Sequence, residues 1–129
     1  MSLYLLDTNI LIDLEGAKAS RPFFDDLLER ESLRLGTSIL CIAEFMSGAR
    51  SPEGRFLRSW LKSGELEVLY LDALEIALQA AHFRKMNGFN LPDALILSTA
   101  LHYKAHLLTH DIAFLKKASH FVSVSDPVS

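Results

Sequence analysis

Four carboxylates punctuate this chain, each inside or at the end of an apolar run: Asp7 in LLDTNIL, Glu44 in LCIAEFM, Asp93 in LPDALIL and Asp111 in LLTHDIAF. An ionised group in such surroundings is costly unless something pairs with it. Tens of residues separate the four, so only a fold can bring them together. Gathered in one place they would repel, shift one another's pKa values and call for a divalent cation, which takes hard oxygen ligands.

The four differ in what else they explain. Asp7, Asp93 and Asp111 lie near predicted helix starts, where a carboxylate accepts backbone N–H bonds and complements the helix dipole. Each alone would pass for a cap, Asp93 as an N3 acid reaching back to Asn90. Glu44 resists that explanation. It sits mid-helix among Ile39, Leu40, Cys41, Ile42, Ala43, Phe45 and Met46, with no Lys or Arg three or four residues away. A helix apolar nearly all the way round is normally buried. A carboxylate facing a metal-filled cleft accounts for Glu44 better than a buried hydrogen-bonded acid or a helix face opening onto solvent does.

Other chemistry-bearing residues have plainer readings. His102 and His106 are four apart, but Lys104-Ala105 falls where a helix gives way to a strand, so the pair lacks a shared face for zinc. His110, beside Asp111, reads as a solvated loop histidine, and Cys41 as a small buried hydrophobe. The stretch Arg50 to Lys62 is the most basic segment, with Glu53 its one acid, and could steer a polyanion. Its Phe56, Trp60 and Leu61 stripe suits core or a protein interface.

The elements that must position the acids follow from apolar periodicity and punctuation. Leu3 to Leu6 is a buried strand ending at Asp7, and Ile10 to Leu14 is helical, capped by Thr8 or Asn9. Arg21-Pro22 opens a helix to about Arg30. After Gly36, Thr37-Ser38 caps a helix from Ile39 to about Ala49, and Ser51-Pro52-Glu53 restarts one containing Phe56, Leu57, Trp60 and Leu61. Glu67 to Leu71 is the second strand, and Asp72-Ala73-Leu74-Glu75 is a capping box opening a helix to about Met86. Asn87-Gly88 breaks it. Leu91-Pro92-Asp93 starts the next helix, which runs to about Lys104. His106 to Leu108 is a third strand, Asp111 to Lys117 a short helix, and Phe121 to Val124 the last strand. Alternation of this kind predicts an α/β domain over residues 1–129, with a central parallel sheet and helices on both faces. Such sheets bind ligands beyond the carboxyl ends of their strands, where Asp7 and Asp111 fall.

A chain of 129 residues, half of them hydrophobic, is one core-rich domain with no linker or repeat dividing it. Its longest uncharged runs, such as Ala94 to Tyr103, are too short to cross a bilayer, and no basic leader precedes a long apolar segment. One cysteine excludes an intrachain disulfide framework. Cytoplasmic residence is the expectation, with no membrane partner. The net charge of -3 argues against a simple DNA-coating protein. Setting the four acids aside leaves 13 basic against 12 acidic residues. A nucleic-acid partner therefore stays open if metal offsets the local charge.

In order and context the acids resemble the PIN-domain family, and most closely its VapC-type toxins of toxin–antitoxin pairs. The resemblance spans almost the whole chain. Leu6-Asp7-Thr8-Asn9-Ile10-Leu11, Ala43-Glu44, Pro92-Asp93-Ala94-Leu95-Ile96 with Thr99-Ala100, and Leu108-Thr109-His110-Asp111 with Phe114 carry it. It implies a catalytic and metal-binding site of Asp7, Glu44, Asp93 and Asp111, with Thr8, Asn9 and Thr109 orienting carboxylates or water around Mg2+ or Mn2+. It also implies an endoribonuclease that hydrolyses RNA with metal-activated water, leaving 5′-phosphate and 3′-hydroxyl ends. A small antitoxin and a homodimer are its implied protein partners. One position departs from the pattern: many relatives carry an acid just before the aromatic matched by Phe114, where this chain has Ala113.

The reading is thus a PIN-domain toxin ribonuclease. Two others stay open: a PIN nuclease of RNA maturation or DNA processing, and a non-catalytic PIN-fold binding partner.

Overall fold

In the computed structural model, which describes residues 2–16, 19–29, 33–48 and 54–128, five parallel strands form one sheet. The elements run β1 (Ser2–Leu6), α1 (Thr8–Glu15), α2 (Arg21–Leu28), β2 (Leu33–Ser38), α3 (Ile39–Gly48), α4 (Arg55–Ser63) and β3 (Glu67–Leu69). Then follow α5 (Leu74–Asn87), α6 (Leu91–Tyr103), β4 (His106–Leu108), α7 (Ile112–Ala118) and β5 (Val124–Ser125).

The strand order is β3-β2-β1-β4-β5, with every neighbouring pair parallel. The chain therefore winds outward from β1 to β3, then returns to β4 on the other side of β1. Right-handed crossovers put α1 to α4 on one face and α5 to α7 on the other. Packing agrees: α1 lies against α3 and α4, while α5 pairs with α6. The direction reverses between β1 and β4, and that switch point opens a crevice at the carboxyl edge of the sheet.

The core sits on both sides of β1. Leu5, Leu6, Ile10, Leu14, Leu35, Leu97 and Leu107 are fully buried, each contributing about 1.5–3 kcal/mol relative to exposure. Because both faces of a parallel sheet are covered, β1 reads as a continuous apolar run.

Several local expectations need correction. Four strands were legible, but there are five: β2 passed as the approach to a helix cap. Its Gly36 is a packing glycine. A Cβ there would come within 3.1 Å of the Leu69 side chain on β3. Thr37 does not cap α3; its hydroxyl donates to the Leu6 carbonyl at 2.8 Å. Ser38 does turn its hydroxyl to the Leu40 N–H at 3.0 Å.

The box at Asp72 to Glu75 does not form, since α5 is capped by Ala73 without a side-chain hydrogen bond. The cap of α1 is Asp7 rather than Thr8 or Asn9. The second predicted strand stops at Leu69, and the last one is Val124–Ser125. Phe121 is still in the turn that leaves α7, its N–H bonded to the Ala118 carbonyl at 2.9 Å. The predicted helix limits at Arg30 and Ala49 and the restart at Ser51-Pro52-Glu53 lie outside the described residues. Among the described residues, no helix is long and apolar enough to cross a membrane.

Candidate active site at the carboxyl edge of the sheet

Asp7 follows the last residue of the central strand, and its N–H continues the sheet by bonding the Leu108 carbonyl at 3.0 Å. Its side chain turns back to cap α1. One oxygen accepts the Thr8 N–H at 2.8 Å. The other accepts the Thr109 hydroxyl at 2.8 Å and the Asn9 amide at 3.4 Å. With 6% of its surface exposed, Asp7 is the most buried of the four acids. Burial raises its pKa; hydrogen bonds from Thr109 and Thr8 oppose the rise, and the charges of Glu44 and Asp111 add to it.

Glu44 comes from the second turn of α3, which leaves the carboxyl end of β2. It is half-buried, and the Thr8 hydroxyl donates to Oε1 at 2.7 Å. The expected burial of the whole helix is not found. Cys41 and Phe45 are its buried residues, while Ile39 and Ala43 are exposed. One face of α3 meets α1, and Glu44 borders that contact rather than the core.

Asp93 enters from the opposite layer. After α5, the chain must return to the amino edge of the sheet to begin β4, so α6 runs against the strands and its first turn lies at the carboxyl edge. There Asn90 caps the helix, accepting the Asp93 N–H at 2.8 Å, and its amide lies 3.3 Å from Asp93 Oδ2. The N3 position read from sequence is the one observed. Burial pushes the Asp93 pKa up to about 6, with the charges of Asp7 and Asp111 adding to the shift and the Asn90 bond opposing it.

Asp111 follows β4 and caps α7, accepting the Phe114 N–H at 3.0 Å. Its own N–H donates to the Thr109 hydroxyl at 3.1 Å. Thr109 thus links Asp7 to the Asp111 backbone, and Asn9 joins them by donating to Thr109 at 3.1 Å and accepting the His110 N–H at 2.9 Å. Thr8, Asn9 and Thr109 are all engaged with the acids or their loops.

The four carboxylates, from two strand ends and two helices on opposite layers, therefore act electrostatically on one another. None has a Lys or Arg hydrogen-bonding partner among the described residues. Among those same residues, no three His, Cys, Asp or Glu side chains form a ready-made metal cage. The helix caps and the Thr8 and Thr109 hydroxyls supply the donors that hold these carboxylates. The donor set, all hard oxygens with uncompensated charge, fits Mg2+ or Mn2+.

His110 differs from its sequence reading. The imidazole is clamped, with Nδ1 2.7 Å from Asp126 and Nε2 3.2 Å from both Asp13 and the Ser20 hydroxyl. Asp13, which also accepts the Ala19 and Ser20 N–H groups at 2.7 Å, carries no signal of this role in its sequence context. His102 is exposed, and His106 turns to the Ser123 and Ser125 hydroxyls at 2.9 and 2.7 Å, so the two form no metal pair. Cys41 is fully buried, with its thiol pushed up to about 12 by burial, as a packing cysteine should be.

The PIN domain family model matches residues 4–119. No curated protein matches the sequence. Solved structures do. A chain of a toxin–antitoxin complex from Klebsiella pneumoniae is 27% identical, covering 96% of this chain and 97% of that one with a TM-score of 0.70. For VapBC-1 from nontypeable Haemophilus influenzae the identity is 25%, the coverage 98% and 99%, and the TM-score 0.74. VapBC2 from Rickettsia felis, solved with a DNA fragment from its promoter, shares 20% identity over 96% of this chain and 98% of that one at a TM-score of 0.75, a likeness of fold alone. Together, a family match over most of the sequence and a fold aligned nearly end to end establish that the chain belongs to the PIN-domain family.

Proposed function

We propose that this protein is a metal-dependent endoribonuclease and the toxin of a VapBC-type toxin–antitoxin pair. The observation that supports the catalytic part is four carboxylates within electrostatic reach of one another at the carboxyl edge of the sheet, without a Lys or Arg hydrogen-bonding partner among the described residues. Four acids gathered without a cationic partner among the described residues repel a polyanionic substrate until metal is bound. The likeness to the Klebsiella and Haemophilus complexes supports the toxin part and a small antitoxin as partner. A homodimer and cytoplasmic residence belong to the same reading.

Asp7, Glu44, Asp93 and Asp111 would hold Mg2+ or Mn2+. Such an ion supplies Lewis acidity and an activated water for phosphodiester hydrolysis. The chain's own residues set the ligands. Thr109 and the Thr8 N–H fix the two oxygens of Asp7, the Thr8 hydroxyl fixes Glu44, Asn90 steadies Asp93, and the Phe114 N–H holds Asp111. Side chains locked in this way lose little freedom when metal and phosphate arrive.

The test is RNA cleavage in Mg2+ by the wild type and by Asp7→Asn and Asp93→Asn. Each variant should lose more than the roughly 10–100-fold that removing an outer-shell partner costs, with an unchanged circular dichroism spectrum. Undiminished cleavage by both variants would overturn the site assignment.

A further inference from the structure

We infer that single-stranded RNA runs from the carboxylates along one face of α1 into a cleft between α1, α2 and α4, where Arg21 and Arg55 hold a phosphate. The inference rests on the nuclease reading and locates how substrate is bound beyond the reacting bond.

The cleft has a volume of about 340 Å³ and is lined by Glu15, Arg21, Arg55, Phe56, Ser59 and Trp60, with Leu14 at its base. The Arg21 guanidinium lies over the Phe56 ring, 4.9 Å from its centroid, and Trp60 packs against the same ring at 4.5 Å. Arg21 Nε is buried without a hydrogen-bond partner. Among the described residues, neither Arg21 nor Arg55 has an acidic partner. Glu15 is spoken for, since Oε1 accepts the Phe56 and Leu57 N–H groups at 2.9 and 3.3 Å and so caps the start of α4.

Two unpaired guanidinium groups beside aromatic rings and a serine hydroxyl match what a single strand presents. Arginine grips phosphate oxygens with paired N–H donors, and aromatic surfaces accept bases and sugars of any sequence. Stacking on Phe56 holds the plane of the half-buried Arg21 guanidinium where it lines the cleft, so an anion meets a preorganised donor there.

A path joins this cleft to the acids. Thr8, Ile12 and Glu15 share one face of α1 by helical spacing. Thr8 touches Glu44, Ile12 is 56% exposed, and Glu15 lines the cleft. The seven-residue rise is roughly 10 Å, the span of roughly two or three nucleotides at or beyond stacked rise. An acidic peptide would also suit the arginines. The nuclease reading selects the single strand, whose chain passes the carboxylates and continues past Ile12; an acidic peptide is the alternative that the test separates.

The test is fluorescence anisotropy in Mg2+ with a mixed-sequence 12-nucleotide RNA and, beside it, a poly-glutamate peptide probe, on the full chain carrying Asp7→Asn so that the RNA survives. Arg55→Glu and Arg21→Gln should each weaken binding about tenfold and flatten the salt dependence by about 0.7 for each phosphate no longer held. Lys85→Glu, at an exposed position of α5, should change affinity less than about twofold. Unchanged affinity and slope in both arginine variants, an equal loss with Lys85→Glu, or loss confined to an acidic peptide probe would each overturn the proposal. Wild-type RNA cleavage, measured alongside, tells a failed cleft from a failed nuclease reading. If the chain binds no RNA at all, both fall.

Discussion

The Thr8 hydroxyl donates to Glu44 Oε1 at 2.7 Å and so fastens the first turn of α1 to the second turn of α3. The same residue's N–H holds Asp7 at 2.8 Å. One threonine thus spaces two carboxylates that repel. Replacing Thr8 by Val keeps the shape and removes the hydroxyl, freeing Glu44 while leaving the backbone bond to Asp7. RNA cleavage should fall about 10–100-fold, while stability to urea changes by no more than about 1.5 kcal/mol. Thr8→Ser should restore most of the rate. Equal rates for Thr8→Val and wild type would show that Glu44 needs no positioning.

Asp93 makes the metal-free protein sensitive to pH in a definite direction. Its folded pKa, about 6, lies above the ordinary value of 3.8. Between those values the folded state binds more protons than the unfolded state, so stability falls as pH rises through this window and levels off above it. Asp7, also raised, acts in the same sense. In chelator, the protein should be more stable at pH 5 than at pH 7.5. Because Asp93 is half-buried and water screens it, its share is about 1–2 kcal/mol rather than the full shift. Asp93→Asn should remove that share, and saturating Mg2+ should reverse the trend by stabilising the ionised form. Urea titrations at the two pH values, with and without Mg2+, measure each part; a flat profile in chelator would contradict the electrostatic reading.

Much of this arrangement was legible because the signals were local. The apolar run of β1, the Asn90-to-Asp93 cap and the β4–Asp111 transition each lie within a few residues, and the structure keeps all three. What was hidden depends on partners far along the chain. Strand β2 contains Arg34 and Gly36, which break its pattern. Arg34 is explained by its paired contact with Glu67 on β3, and Gly36 by the Leu69 side chain above it. The box at Asp72 has the right residue types but the helix begins later, at Leu74. Glu44 was singled out for a helix expected to be buried, yet α3 is half-open. Glu44 has no Lys or Arg hydrogen-bonding partner among the described residues.

His110 ties three parts of the chain to the loop that carries Asp111. Its ring meets Asp126 after β5, Asp13 on α1 and Ser20 at the start of α2. His110→Ala leaves these acceptors, the buried Asp13 among them, short of a donor, so it should cost about 1–3 kcal/mol and speed amide exchange at Leu107 and Thr109, whose N–H groups bond the Ser123 and Ser125 carbonyls. His110→Gln should recover part of both. Burial works to raise the Asp13 pKa, but hydrogen bonds from Ser20, Ala19 and His110 hold it below 3.8. Its contribution is therefore present above that pH and lost as pH falls through the folded value. Unchanged exchange at Leu107 and Thr109 in His110→Ala would show that β5 holds without the clamp.

Ala113 occupies an exposed position in the first turn of α7, two residues after the cap Asp111. An acid at this point meets two opposing fields. The helix N-terminus favours it by about 0.3–1 kcal/mol, and the neighbouring carboxylate disfavours it by a similar order at the surface. Stability in chelator should therefore change little in Ala113→Asp. Divalent affinity should change more, because an added hard ligand raises the charge that only the ion can offset. About fivefold to tenfold tighter Mn2+ binding is expected by calorimetry, along with cleavage that saturates at lower metal concentration. Were the gain due to the helix dipole alone, stability would rise without metal and the Mn2+ affinity would stay where it was, which separates a missing ligand from a better helix start.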